Sequence, residues 1–332
     1  MRISALLRSP LGTILRYAFS LALLGWLACR VDWAKFGGLR GLDWSLAFPA
    51  VLLSGAAYPL QAWRWQVLLR AQGIVRPPRW VHGVFWIGQF YNSFLPGGVA
   101  GDAVRLAQLW QAEPGRRAGG AASLLADRLL GLGSLLALAT LALGGHFALV
   151  GGQAQLQSLL VASGVTFTLL VVIGWTLIRT RWWEPISARL LGRERAAVLH
   201  DTAVAFGSCG RALAGAALLS TMIWLADFLS LWLYARAVGL GAGLLEMVVA
   251  GAAAYVAAAL PISIGGHGVR EGSLVAVLML LGHGADAVGN LSLFAVVFWA
   301  SCVGWSLVGG VVQLLSLVVG WPIARIGRRD GA

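Results

Sequence analysis

The sequence predicts an all-α integral membrane protein with about six full transmembrane helices and two broken re-entrant helical hairpins. Hydrophobic residues make up 59% of the 332 residues and charged residues only 11%, whereas about a quarter of a soluble domain is charged. Apolar runs of about 20 residues, enough to cross hydrocarbon, recur from end to end. Two of these runs are interrupted by Pro and Gly. We expect one transmembrane domain over residues 1–332.

The net charge of +12 does not indicate nucleic-acid binding, because the basic residues cluster in short loops between apolar runs. This is the pattern of the positive-inside rule, which orients membrane proteins. The same arginines can also attract anionic lipid headgroups. Cys29, Cys209 and Cys302 have no metal-ligand spacing, so we expect buried apolar thiols. We expect no metal and no cofactor.

The predicted spans follow in order along the chain. The N-terminal run resembles a signal peptide, but it is long for one and we interpret it as an uncleaved first span. The second span ends in a basic loop, and the fourth leads into an arginine-rich loop. The six full spans are Leu11–Ala28, Trp44–Trp65, Ala118–Leu143, Leu156–Ile178, Ala212–Ala235 and Leu291–Gly320.

The remaining apolar stretches are Trp80–Trp110, broken at Pro96-Gly97-Gly98, and Leu244–Leu281, broken at Pro261–Gly268. Each half is too short to cross about 30 Å of hydrocarbon comfortably. Two short spans or one re-entrant hairpin would give the same charge bias, with the termini cytoplasmic. We prefer hairpins because glycine-rich backbone at depth must be buried in protein or line a wet cavity.

The two breaks resemble one another. FLPGGVAGDAVRL (94–106) and LPISIGGHGVREGSL (260–274) share Leu-Pro, a Gly-Gly pair and a following Arg. Nine residues separate Pro96 from Arg105, and nine separate Pro261 from Arg270. Each half of the chain has the order span, span, hairpin, span. We therefore expect inverted repeats over 1–150 and 151–325, a plan of transporters that bind substrate at the repeat interface.

The residues after each break are suited to an anion. A half-helix begins with unpaired N–H groups and a partly positive end, which attracts phosphate. Asp102 and Arg105 share a face of the first half-helix; Asp102 can cap its N–H groups, and Arg105 offers a planar fork. Such charges are costly in hydrocarbon. The alternative is that they pair internally, Asp102 with Arg128 or Asp127 with Arg105, and fix the fold. Trp63 and Trp65 are expected to hold Arg64 at the interface.

Several motifs, in order over most of the chain, resemble the membrane domain of the lysylphosphatidylglycerol synthase family, which includes flippase-like membrane proteins. They are Arg64-Trp65 with Leu68-Leu69, Tyr91–Gly98 with Gly101-Asp102 and Arg105, Ala126-Asp127-Arg128 with Gly131-Leu132, and Pro261, Gly265-Gly266 and Gly268–Glu271. The resemblance implies translocation of a lipid between leaflets. Eleven residues follow Trp321, so we expect the soluble aminoacyl-transferase domain of the two-part synthases to be absent.

We therefore expect a lipid flippase of the cytoplasmic (inner) membrane, not an enzyme, with anionic or phosphate-bearing membrane lipids as partners. The alternatives are a scaffold of a lipid-synthesis complex, acting through the loop Arg179–Arg211, and a lipid-modifying transferase that uses His267. Asp102, Asp127, Asp227 and Glu271 are candidates for charge balance or proton coupling. The predicted substrate-binding residues are Asn92, Pro96, Gly97, Gly98, Asp102, Arg105, Asp127, Arg128, Gly265, Gly266, His267, Arg270 and Glu271.

Overall fold

A computed structural model describes residues 41–95, 100–150, 154–179, 209–260, 262–283 and 288–318, with the isolated positions Gly25, Cys29, Pro185, Arg189 and Phe206. The described part contains nine α-helices and a short 3-10 helix, Pro114–Arg116. The helices are α1 Trp44–Ala71, α2 Pro78–Phe94, α3 Ala100–Ala112, α4 Arg117–Val150, α5 Ala154–Arg179, α6 Gly210–Ala237, α7 Leu244–Ala258, α8 Val269–Leu280 and α9 Val288–Val318.

Three described helical segments are long and apolar enough to cross a membrane: Pro114–Leu149, Gly210–Ala237 and Gly289–Ser316. They coincide with the predicted third, fifth and sixth spans. Helices α1 and α5 cover the predicted second and fourth spans. Helix α1 is less apolar than the three segments above because its sequence includes two prolines and two arginines. The first predicted span lies outside the described residues. An all-α membrane protein is thus confirmed, whereas six full spans remain a prediction.

The chain forms two compact units that are interleaved in sequence. Unit one comprises Met1–Ala57, Trp86–Ala103 and Leu225–Leu314. Unit two comprises Tyr58–Phe85, Val104–Trp224 and Leu315–Ala332. Each unit draws on both halves of the sequence, so neither coincides with a predicted repeat. The inverted repeat stays a prediction.

In unit two, the ends of several helices meet. The Cys209 thiol, just before α6, lies 3.6 Å from the carbonyl oxygen of Ala71 at the end of α1. Arg116, just before α4, donates to the carbonyl oxygens of Gln72 and Gly73 beyond the end of α1. The end of α1 and the starts of α4 and α6 therefore lie together, as expected if all three face the cytoplasm.

In unit one, the first half of α1 packs against α6 and α9. The backbone N–H of Asp43 donates to the carbonyl oxygen of Ala237 at 3.0 Å, which places the start of α1 beside the end of α6. The Tyr234 hydroxyl donates to Ser301 at 2.6 Å. Asp43 caps α1 by accepting from the Ser45 hydroxyl and N–H at 2.6 and 2.9 Å, and these bonds hold the pKa of the Asp43 carboxyl below its usual value.

Helices α2 and α3 join at the first break, whose residues 96–99 lie outside the described part. In unit two, the Nε of Arg76, before α2, lies 2.9 Å from an oxygen of Glu113, after α3. In unit one, a Cβ on Gly101 would lie 1.9 Å from the carbonyl oxygen of Gly88, so only glycine permits this approach. The start of α2 is thus tied to the end of α3, and the pair is antiparallel.

Helices α7 and α8 form a similar antiparallel pair within unit one. Glu246, in the first turn of α7, accepts from the N–H of Gly243 at 2.6 Å and contacts His283, after α8, at 2.9 Å. Gly265, Gly266 and Gly268 between the helices have φ values of +58°, +76° and +81°. This left-handed region strains residues with a Cβ, which explains the glycines of the second break.

Candidate functional site

The two interrupted segments touch within unit one. Nε2 of His267 donates to the carbonyl oxygen of Ser93, near the end of α2, at 3.0 Å. A Cβ on Gly265 would lie 2.7 Å from the same oxygen and 3.0 Å from that of Asn92. The backbone of the second break therefore packs directly on the last turn of α2, with no room for a larger residue.

Asn92 also reaches across the first break. Its side-chain oxygen accepts the N–H of Gly101, the second residue of α3, at 2.8 Å. The start of a helix has N–H groups without intrahelical partners, and an asparagine oxygen is a common acceptor for them. Asn92 thus supplies one cap contact at the start of α3. Asp102 lies in the same first turn and is buried.

Arg270 and Glu271 form a buried ion pair at the start of α8. One Glu271 oxygen accepts from Nε and Nη2 of Arg270 at 2.9 and 2.6 Å, and the other accepts the N–H of Gly268 at 2.7 Å. Glu271 is fully buried, and the Arg270 guanidinium lies 4.7 Å from the ring centre of Phe298. The half-buried Asp227 interacts electrostatically with Arg270. The pair holds a guanidinium at a fixed place beside the second break.

Buried polar atoms near the second break have unused hydrogen-bonding capacity. Nδ1 of His267, Nε1 of Trp299 and the Ser263 hydroxyl have no hydrogen-bond partner among the described residues. The rings of His267 and Trp299 meet edge to face at 6.4 Å. Buried polar groups are nearly always satisfied in native proteins, so these atoms are available to water or to a bound polar molecule.

A second cluster of charges is buried in unit two. Arg64 binds one oxygen of Asp127 through Nε at 2.7 Å and donates to the Ser220 hydroxyl at 2.9 Å. The other Asp127 oxygen lies 3.7 Å from Nη2 of Arg105, whose guanidinium stacks 4.2 Å from the Trp65 ring centre. The three charged residues are 7%, 3% and 2% exposed, in the order Arg64, Asp127, Arg105. One carboxylate thus sits between two guanidinium groups.

The structure of this cluster bears on three predictions made from the sequence: the location of Arg64, the partner of Asp127 and the role of Arg128. The Arg64 guanidinium is buried and bound by Asp127 and Ser220, and of the two tryptophans expected to hold it, Trp65 is buried and Trp63 is exposed. The pairing of Asp127 with Arg105 is observed, but Arg64 is the closer partner. Arg128, which we predicted among the substrate-binding residues, is exposed on α4.

The predicted site residues therefore divide between the units. Unit one contains Asn92, Asp102, Asp227, Gly265, Gly266, His267, Arg270 and Glu271, and unit two contains Arg105, Asp127 and Arg128. Pro96, Gly97 and Gly98 lie outside the described residues. The structure adds residues that the sequence did not mark as part of a site: Arg64, Trp65, Ser93, Ser220, Phe298 and Trp299.

The helices and their buried ionisable groups define a polytopic α-helical membrane protein with polar clusters inside its apolar part. The chain matches the family described as the lysylphosphatidylglycerol synthase TM region over residues 13–309, and it belongs to this family. The resemblance stated from the motifs is confirmed, and the family indicates a membrane-lipid-related role. A search of curated proteins gives no match.

Proposed function

We propose that this protein translocates a lipid or lipid-linked molecule with an anionic headgroup between the leaflets of the cytoplasmic membrane. The observation that carries the proposal is the contact of the two interrupted segments in unit one, beside the buried Arg270. Irregular backbone at membrane depth is tolerated where it is enclosed by protein or lines a wet cavity. Broken helices that meet in this way form the substrate sites of many transporters.

The chemistry of this region suits a phosphate or another oxyanion. Glu271 accepts from Nε and Nη2 of Arg270, and Phe298 lies against the guanidinium; the cation held in this way attracts such a group through its remaining N–H donors. His267, Trp299 and Ser263 add polar atoms that no described residue uses. An ionisable residue inside a membrane protein is costly and usually has a functional or pairing role. In this proposal Arg270 contacts the headgroup, and Asp227 balances the charge or carries a coupling proton.

We further propose that both interrupted segments are re-entrant. Helices α2 and α3 have 17 and 13 residues, and α7 and α8 have 15 and 12. At 1.5 Å per residue, the second helix of each pair is only about 18 to 20 Å long, against about 30 Å of hydrocarbon. The open ends of each pair are joined by Arg76–Glu113 and Glu246–His283, which fits a hairpin or two short crossings, and it is the short second helix that favours a tip inside the membrane.

Cysteine labelling tests this topology at the tips of the two pairs. In a background with the native cysteines replaced by serine, Leu95→Cys and Leu260→Cys mark the tips, which are 40% and 54% exposed. We expect a bulky, membrane-impermeant maleimide to label neither tip from the side opposite its open end, tested from outside in intact cells for Leu95→Cys and from the cytoplasmic side in inside-out vesicles for Leu260→Cys. Labelling of Leu95→Cys from the outside would show that α2 and α3 are two crossings.

The controls mark the open ends of the pairs. Gly115→Cys lies just after α3 and Gly241→Cys just before α7, and an added Cβ at either position meets nothing within 4 Å. Gly115→Cys should be labelled only from the cytoplasmic side and Gly241→Cys only from outside. The reverse pattern would overturn the predicted orientation.

The proposed activity is tested by leaflet exchange in liposomes that contain the purified full-length chain. We would compare labelled phosphatidylglycerol, phosphatidylcholine and a polyprenyl-phosphate lipid, with and without a proton gradient. Exchange of an anionic lipid well above that in protein-free liposomes is expected, and the fastest substrate indicates the cargo. The proposal would be contradicted if protein that shows a cooperative thermal unfolding transition, and is therefore folded, exchanges none of these lipids.

A scaffold and a lipid-modifying transferase remain the alternatives to translocation. The scaffold hypothesis depends on the loop Arg179–Arg211, most of which lies outside the described part. The transferase hypothesis needs a base or a metal near His267; the described residues include no group of three or more His, Cys, Asp or Glu placed to hold a metal. Formation of a new lipid product by purified protein would favour the transferase.

A further inference from the structure

A groove of about 330 Å³ opens in unit two between α1 and the start of α2. None of the residues that line it belongs to the clusters described above. Trp63, Gln66 and Arg70 project into it from α1, where spacings of three and four residues place them on one face. Pro78 and His82 contribute from one face of α2. The groove therefore lies between two facing helix surfaces at the turn that joins them.

The groove is electropositive. Arg70 is exposed in the last turn of α1, and no described residue offers its guanidinium a hydrogen bond or an ion pair. His82 supplies a second polar group, and the start of α2 has no acidic residue in its first turn, so its partly positive end is not neutralised there. Among the described residues, no acidic side chain lines the groove. Nearby Arg76, by contrast, is bound to Glu113.

The other surfaces of the groove are apolar. Trp63 is 54% exposed although it lies on a long helix of a membrane protein, and Pro59 and Leu60 lie beside it. Tryptophan is enriched at the headgroup level of a bilayer because its ring is apolar and its N–H is polar. An arginine near a helix end reaches the same level. The groove thus combines an apolar wall with a basic end.

We propose that this groove binds the phosphate-bearing headgroup of an anionic membrane lipid. Arg70 contacts the phosphate, His82 donates a second hydrogen bond, and Trp63 with Leu60 contacts the glycerol and the first part of the acyl chains. The end of α1 lies on the predicted cytoplasmic side, where anionic lipids create a negative surface potential. The volume suits a small-molecule site. The inference does not depend on the proposed translocation.

Native mass spectrometry of the full-length chain tests this site. The purified protein is mixed with equal amounts of phosphatidylglycerol and phosphatidylcholine, and the retained lipids are counted. We expect wild-type protein to retain phosphatidylglycerol preferentially, and Arg70→Gln with His82→Gln to reduce that retention at least threefold. Arg70→Lys, which keeps the charge and loses the fork, should reduce it less.

Arg117→Gln is the matched control, since Arg117 is also exposed and is predicted on the same side, outside the groove. Equal retention of the two lipids by the wild type, or an equal loss in Arg117→Gln, would overturn the proposal. So would displacement of the lipid by inorganic phosphate alone at low concentration. If the double variant does not fold, the site is tested on wild-type protein with a photoactivatable phosphatidylglycerol. We expect this lipid to crosslink within Pro59–His82. Crosslinking only outside this range would refute the site.

Discussion

Asp127→Asn is expected to lower the free energy of unfolding by about 3 to 5 kcal/mol, the usual cost of removing one partner of a buried ion pair. Asp127 is 3% exposed and lies between the guanidinium groups of Arg64 and Arg105, at 2.7 and 3.7 Å. Asparagine keeps the shape but supplies no negative charge. Two buried cations would then share a region that has lost its carboxylate.

The measurement is equilibrium unfolding of the purified variant in mixed micelles with increasing denaturing detergent. The matched control is Arg117→Gln, an exposed charge change at the start of the same helix, for which a change within about 0.5 kcal/mol is expected. A similar small effect of Asp127→Asn would show that the cluster does not stabilise the fold and would favour a functional role for the carboxylate.

The double variant Asp127→Asn with Arg64→Gln measures how much of the effect comes from the interaction between these two residues and how much from their other neighbours. If the two residues act mainly through each other, the second substitution removes the uncompensated charge, and the double variant is more stable than Asp127→Asn alone. Coupling energies of about 0.5 to 3 kcal/mol are typical for residues in contact. If the destabilisation of the double variant equals the sum of the two single effects, Asp127 and Arg64 do not depend on each other, and Arg105 or Ser220 provides the stabilising contacts instead.

The interruptions of the fold were predictable because their causes are local. Three glycines of the second break have positive φ, and runs of Gly after Pro are where such conformations occur. The composition likewise predicted an all-α membrane protein. The capping role of Asn92 was not predicted, because a predicted hairpin places α3 beside α2 but does not fix which side chain of α2 meets the first turn of α3.

The partners of the buried charges could not be read from the sequence for a similar reason. Arg64 and Asp127 are 63 residues apart, and the pairing depends on how α1 packs on α4. The sequence did hold a signal: Arg64 lies six residues before Arg70, so one full turn and more of helix separates it from the basic end of α1. From the sequence, Trp63 and Trp65 are expected to act alike, whereas Trp65 is buried against Arg105 and Trp63 is exposed.

Arg270→Gln is expected to slow the exchange of an anionic lipid at least tenfold in the liposome assay, equivalent to about 1.4 kcal/mol of transition-state stabilisation. The guanidinium is held beside the second break by Glu271 and Phe298, and glutamine has neither the charge nor the fork. Exchange of a zwitterionic lipid, if any occurs, should fall less. Arg270→Lys should be intermediate.

Arg236→Gln is a close control for this experiment. Arg236 also belongs to unit one and also lies over an aromatic ring, 5.3 Å from that of Trp232, but it is exposed at the end of α6, outside the polar cluster. The variant has the same change in charge and a similar loss of ring contact. Equal slowing in Arg236→Gln and Arg270→Gln would indicate a general electrostatic effect and contradict a specific role for Arg270.

A second variant distinguishes headgroup binding from a structural role of the ion pair. Arg270→Gln alone leaves Glu271 as an uncompensated buried charge, which can destabilise the protein. Arg270→Gln with Glu271→Gln removes both charges, while the amide oxygen introduced by Glu271→Gln can still accept the N–H of Gly268. If the pair only fixes the start of α8, this neutral variant should regain exchange. If Arg270 binds the headgroup, the neutral variant should fold like the wild type and remain as slow as Arg270→Gln, because the loss lies in the contact with substrate.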